Sequence, residues 1–301
     1  MAAPLPTAAQ ARQGAIAAGL CYLFWGLVPI YWRELRAIDA TELIAHRHVW
    51  SLAVLLLLVT HQGGFAAVRE ALRGPRALLT NLLNAVLLTA NWWIYVWAVN
   101  RGHVTECSLG YYLVPLVNVA AGRFVLHERL RRLQWLAIAC ASLGVLLLLV
   151  QLGTMPWIAL SLAGSWGAYS LMRKRSQVGA LTGLTVETLL LAPFAAAFLL
   201  WRVHTGEGAL GRVDLGMHVL VLSSGVITAL PLLLFAYGAQ RIRLSTLGLL
   251  QYVSPSVQLL LAVWLYGEPF TRERVISFGC IWVALLLYSI DGVRAQRRMR
   301  G

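Results

Sequence analysis

Residues 98–128, AVNRGHVTECSLGYYLVPLVNVAAGRFVLHE, align without a gap on residues 238–268, GAQRIRLSTLGLLQYVSPSVQLLLAVWLYGE, at an offset of 140. Arg101 falls on Arg241, Tyr112 on Tyr252, Pro115 on Pro255 and Glu128 on Glu268. At an offset of 141, Trp25-Gly26 falls on Trp166-Gly167. Chance supplies single matches of this kind, but both offsets recover the same unit of about half the chain, so the repeat is read as real.

The composition says what solvent that unit lives in. Of 301 residues, 59% are hydrophobic and 12% are charged, where soluble domains carry about a quarter charged residues. A mean hydropathy of +0.70 leaves no charged skin with which to stay dispersed in water. A soluble globular domain is excluded. Near-continuous apolar runs broken by charge, Gly or Pro cover 14–32, 40–60, 77–99, 104–126 and 133–151 in one half. In the other they cover 154–172, 180–201, 216–240, 244–266 and 275–293. Each is close to the roughly 20 residues that span a bilayer as a helix.

The expected fold is therefore an all-α polytopic membrane protein of ten transmembrane helices. Residues 1–151 form one five-helix repeat and residues 152–301 the other. Because five is odd, the second repeat enters the membrane in the opposite direction to the first, which makes the repeat inverted. Units related in this way can rock about a site at their interface, the design of a secondary transporter.

Charge sets the expected orientation. Sixteen Lys and Arg fall on the side of both termini, among them Arg12, the Arg173-Lys174-Arg175 run and the Arg294 to Arg300 tail. Seven fall on the other side: Arg33, Arg36, Arg101, Arg202, Arg212, Arg272 and Arg274. The positive-inside rule then places both termini in the cytoplasm, with the first apolar stretch kept as a span and the tail read as a topogenic signal. The net charge of +13 points to lipid headgroups and not to nucleic acid, because the arginines are scattered between apolar runs and build no basic groove. Cys21, Cys107, Cys140 and Cys280 lie inside apolar segments without CxxC pairing. They read as packing residues, with no disulfide framework and no metal site. No cofactor motif is present, and no pattern specifies an oligomeric state.

Polar residues inside the spans are the candidates for a solute site. Tyr111, Pro115 and Asn118 share one helical face, and the repeat puts Gln251, Pro255 and Gln258 at the same spacing, with Tyr112 and Tyr252 beside them. A mid-span proline frees a carbonyl that a hydrated cavity can satisfy. The competing reading is a packing kink with the amides bonded between helices. His46 and Arg47 lie in a helix that carries Glu42 one turn earlier, and Glu187 is the repeat counterpart of His46. These groups either bind solute or protons, or serve as structural ion pairs, with Arg47 snorkelling to the surface. Asn84 and Asn91 precede Trp93, Tyr95 and Trp97, which read as an interfacial belt, whereas Asn91 and Trp92 are taken as cavity residues. Trp25 and Trp166 are mid-span beside glycines, either as an aromatic wall or as plain packing. Glu128 and Glu268 end their spans and read as caps of the following helices.

The segments LCYLFWGLVPIYW (20–32), LIAHRHVWS (43–51), NWWIYVWAVN (91–100), SLGYYLVPLVNV (108–119), RLSTLGLLQYVSPS (243–256) and YGEPF (266–270) closely resemble the RarD-type members of the EamA family, within the drug/metabolite transporter superfamily. The resemblance runs from about Gly14 to Arg298. It implies ten helices in two inverted five-helix repeats in a bacterial inner membrane, around a central cavity for a small solute. Members of this type carry the label chloramphenicol-sensitive protein, which does not settle a physiological substrate. The expected solute is a small amphipathic metabolite or drug.

Other classes fit less well. An intramembrane enzyme lacks its motifs: His127-Glu128 opens HERL and not HExxH, no DDxxD pair occurs, and GSWG at 164–167 has no serine-protease context, so no catalytic residue is assigned. A channel would need a carboxylate ring or a carbonyl filter. A non-transporting receptor or assembly protein keeps the same bundle but gives the repeat no use.

Overall fold

The computed structural model describes residues 7–152, 155–209, 212–265, 267 and 272–298. Among them the secondary structure is helical throughout. Helix α1 (Ala8–Glu34) starts on a capping box in which Thr7 and Gln10 satisfy each other's backbone N–H. Helix α2 (Ala40–His61) starts where Asp39 accepts from the N–H groups of Thr41 and Glu42. A short amphipathic helix, α3 (Phe65–Arg73), follows in the connection between the apolar runs 40–60 and 77–99. It buries Val68 and Ala71 and exposes Arg69, Glu70 and Arg73. Helix α4 (Pro75–Asn100) begins on Pro75, a residue whose missing N–H costs nothing at that position.

Helix α5 (Val104–Ala120) widens at its C-terminal end into a π turn, Ala121–Val125. Helices α6 (Arg132–Leu152), α7 (Trp157–Arg175), α8 (Ala180–His204) and α9 (Leu215–Arg241) follow. The apolar run 244–266, expected as one span, is broken into α10 (Leu244–Gln251) and α11 (Val253–Trp264). Pro255 explains the break, since it cannot donate to the carbonyl of Gln251 four residues back and its ring crowds that carbonyl. Helix α12 (Arg272–Arg298) closes the chain.

Seven helical segments among the described residues are long and apolar enough to cross a membrane. Their outward surface agrees with lipid as solvent, since side chains such as Leu57, Leu200 and Phe194 are more than two-thirds exposed. The chain is a multi-pass membrane protein.

Packing follows a pattern. Helix α1 lies on α9 and α11, while α7 lies on α4 and α5; α2 lies on α8, α6 on α12 and α5 on α10. Close approach needs residues without a side chain. A Cβ on Gly26 would come within 2.6 Å of Val257 Cβ, and one on Gly167 within 2.4 Å of Val117 Cγ1. At the centre, Tyr22, Trp166, Tyr169 and Phe235 form the largest buried cluster, with Trp25 against it. The rings of Trp25 and Trp166 meet edge to face at 5.2 Å, a favourable aromatic geometry.

Candidate solute cavity

A cavity of about 250 Å³ opens between the two halves of the chain. Its walls come from α1, α2, α4 and α5 of the first half and from α7, α9, α10 and α11 of the second. Nine residues singled out from sequence line it: Trp25, Asn91, Trp92, Tyr111, Tyr112, Trp166, Gln251, Pro255 and Gln258. Two of the amides also tie the wall together. Asn91 Nδ2 donates to the Leu162 carbonyl and to Ser165 Oγ, both at 2.9 Å, and Gln258 Nε2 donates to the Trp25 carbonyl at 3.2 Å.

The remaining five are placed elsewhere. Asn118 is buried behind the wall and donates to Gln251 Oε1 at 3.3 Å, so the two proline-bearing faces are joined by an amide bridge. Pro115 is buried too, its carbonyl facing Gly248, where an added Cβ would approach within 2.7 Å. Tyr252 is turned inward and donates from its hydroxyl to the Tyr112 carbonyl at 3.2 Å. His46 is fully buried beside Glu42 at 3.7 Å. Glu42 is in turn held by the Ala209 N–H at 2.6 Å and by Arg202 at 3.4 Å, an arrangement of structural ion pairing.

Glu187 lies in a buried polar cluster: it accepts from Asn84 at 2.9 Å, from Arg173 at 3.1 Å and from the Tyr169 hydroxyl at 3.2 Å. It borders a much smaller pocket of about 20 Å³ that adjoins the main one through Arg47.

Arg47, which the sequence allows either to bind solute or to snorkel to the surface, stands on the cavity wall. One residue along a helix turns the side chain by about 100°, and that step carries Arg47 into the cavity while His46 goes to the packed face. Its Nε donates to Thr228 Oγ1 at 3.0 Å, and its guanidinium carbon is 4.0 Å from the centre of the Trp92 ring and 4.8 Å from that of Trp32. The signal was present in the sequence, since Arg47 and Arg123 are the arginines that fall inside the expected spans.

The two ends of the cavity wall differ in exposure and in hydrogen bonding. Its wall residue Val104, at the N-terminus of α5, is exposed. At the opposite end Glu128 accepts from the Leu244 N–H at 2.7 Å, from the Ser245 N–H at 3.1 Å and from Ser245 Oγ at 2.6 Å. Glu128 thus caps α10 in the other half of the chain and not the following helix α6. The same end is tied by Arg243 to the Arg129 carbonyl, Arg175 to the Val125 carbonyl, Lys174 to the Ile242 carbonyl and Gln240 to the carbonyl of Val178. Glu268, the repeat mate of Glu128, lies outside the described residues, as does the end of the basic tail beyond Arg298.

The family model described as the EamA-like transporter family matches the chain twice, over residues 12–150 and 154–290. The chain belongs to the EamA-like transporter family. An "Uncharacterized transporter" of Vibrio cholerae is 42% identical over 98% of this chain and 98% of its own length. "Protein RarD" of Salmonella typhi is 40% identical over 97% and 99%, which makes this chain a RarD-type EamA protein of the drug/metabolite transporter superfamily. A chain of a solved crystal structure superposes with a TM-score of 0.70 over 92% of this EamA protein and 97% of that chain, at 20% identity, a likeness of fold. The family and the Vibrio cholerae relative are named as transporters, and transporters of this kind handle small solutes.

Proposed function

We propose that this EamA protein is a secondary transporter that moves a small amphipathic metabolite or drug across the bacterial inner membrane by alternating access. Its ten spans are α1, α2, α4, α5, α6, α7, α8, α9, the broken pair α10–α11, and α12. They form two inverted five-helix repeats, residues 1–151 and 152–301, with both termini cytoplasmic.

The observation that carries this reading is the exchange pattern of the packing. Swapping the repeats turns α1 on α9 into α7 on α4, turns α1 on α11 into α7 on α5, and leaves α2 on α8 and α6 on α12 as they are. It also turns Gly26 on Val257 into Gly167 on Val117. The two matches of the family model, one per half, support the same division. A pseudo-twofold of this kind lets one chain adopt two shapes of similar energy that face opposite sides.

With cytoplasmic termini, the open end at Val104 faces the periplasm and the end latched by Glu128 faces the cytoplasm. The described arrangement is then the outward-facing member of the cycle. Turning inward requires the Glu128 carboxylate to leave the N-terminus of α10, where the helix dipole and two N–H groups hold it, and the open end to close over the solute.

The test is two-sided labelling. Ser108 lines the cavity. In a variant whose four native cysteines are replaced by serine, Ser108→Cys should react with an impermeant maleimide from the periplasmic face and, during turnover, from the cytoplasmic face as well. Labelling from one face alone overturns alternating access. Reporter fusions after Arg36, Gln151 and Gly206 should read periplasmic, and fusions after Arg73, Arg175 and Arg300 cytoplasmic; two or more reversals overturn the ten-span topology.

A further inference from the structure

We infer that the solute is an organic monoanion, a flat apolar body bearing one carboxylate, and that the Arg47 guanidinium receives that carboxylate. The inference rests on the transporter reading and adds the charge and shape of what is carried.

Among the described residues Arg47 is the one charged side chain on the cavity wall, where there is neither an acidic residue nor a lysine. Among the described residues no carboxylate lies within ion-pair distance of it; its protein contacts are the Thr228 hydroxyl and the faces of Trp92 and Trp32. Those contacts fix the guanidinium plane and use one of its five N–H groups. Among the described residues neither terminal nitrogen donates a hydrogen bond, and Arg47 lines the cavity as a half-buried side chain. A charge removed from bulk water without a counter-charge is costly, and a solute that brings one recovers that cost. Two terminal nitrogens in one plane match the two oxygens of a carboxylate, a pairing that a point charge does not reproduce.

The rest of the wall agrees. A cationic solute would meet a positive charge and no acid. A dianion or polyphosphate would bring a second negative charge with no partner. The flat walls, Trp25 and Tyr112 among them, suit an apolar or aromatic body of modest size.

The experiment measures calorimetric binding of three acids (benzoate, 3-phenylpropanoate and indole-3-propionate), each against its primary amide. The purified protein is held in nanodiscs of zwitterionic lipid. Acid and amide share shape and differ in charge. At least one acid should bind about tenfold or more tightly than its amide, the scale of a charge-assisted hydrogen bond. The ratio should fall to about one in Arg47→Gln and recover in part in Arg47→Lys, which keeps the charge but loses the fork. Because the wild-type ratio stands alone, a variant that fails to fold does not decide the matter.

Equal binding of acid and amide overturns the monoanion inference and leaves the transporter reading standing, as does the absence of acid binding throughout the series. Loss of acid binding in discs containing phosphatidylglycerol would make a lipid headgroup the occupant and also overturn it. The transporter reading fails separately, through one-sided labelling of Ser108→Cys.

Discussion

One buried and one half-buried arginine show opposite solutions to the same electrostatic problem. Arg173 is wholly buried, and the protein supplies its counter-charge in Glu187 at 3.1 Å, with Asn84 and Tyr169 completing the carboxylate's hydrogen bonds. Arg47 is clamped between two tryptophans beside a cavity, and the described residues supply it with a hydroxyl but no carboxylate. A buried charge that the chain itself neutralises holds helices together, here α7 to α8. A fixed charge that the chain leaves unneutralised at a cavity wall is available to a ligand. Identity as an arginine on a membrane helix does not separate the two cases; the partner does.

That contrast is broken most severely at the paired site. Glu187→Gln keeps the shape and leaves Arg173 buried without its counter-charge, so unfolding in detergent should be easier by about 3–5 kcal/mol, read as a large drop in melting temperature. A melting temperature close to wild type would mean that the cluster is hydrated and holds nothing.

The latch should give a smaller effect. Glu128→Gln removes the carboxylate that caps α10, which costs about 1–2 kcal/mol on the scale of helix N-caps and dipole contacts. On the proposed alternating-access cycle that contact exists only while the cytoplasmic end is shut, so the loss should appear as greater cytoplasmic labelling of Ser108→Cys, more than as unfolding.

Smaller again in stability are the prolines. Pro255→Ala restores the missing donor to the Gln251 carbonyl and should join α10 to α11, so the melting temperature holds or rises while proteoliposome flux falls. Pro115→Ala should act in the same direction but less, because α5 is continuous through Pro115. Wild-type flux in both would make them tolerated kinks. At the bottom of the scale, Arg47→Gln should stay within about 1 kcal/mol of wild-type stability, in contrast to Glu187→Gln, while saturable flux is lost.

Much of this was legible in the amino-acid sequence, and the illegible part has identifiable causes. Hydropathy and the repeat point to the helices because each apolar run must satisfy its own backbone in lipid. The pairing of Trp25-Gly26 with Trp166-Gly167 marks the close approach at the centre because only glycine admits it. The direction of a side chain around a helix is set by tertiary packing, which one sequence does not contain, and so the sequence does not say that Arg47 faces the cavity while His46 faces Glu42. The partner of Glu128 was hidden for the same reason: Leu244 and Ser245 lie 116 and 117 residues away. The break at Tyr252 was half-visible, since Pro255 announces a lost hydrogen bond but its mate Pro115 carries the same announcement and stays within a continuous helix.

The central claim, that the two ends open in opposition, is tested most directly by pulsed dipolar distances between spin labels. One pair goes on Arg129 and Arg175 at the latched end and the other on Arg36 and His103 at the open end, in wild type and in Glu128→Gln. The account predicts that in the variant the latched-end distance lengthens while the open-end distance shortens, two populations exchanging weight in step. Lengthening at the latched end with no change at the open end would be local fraying and would contradict alternating access.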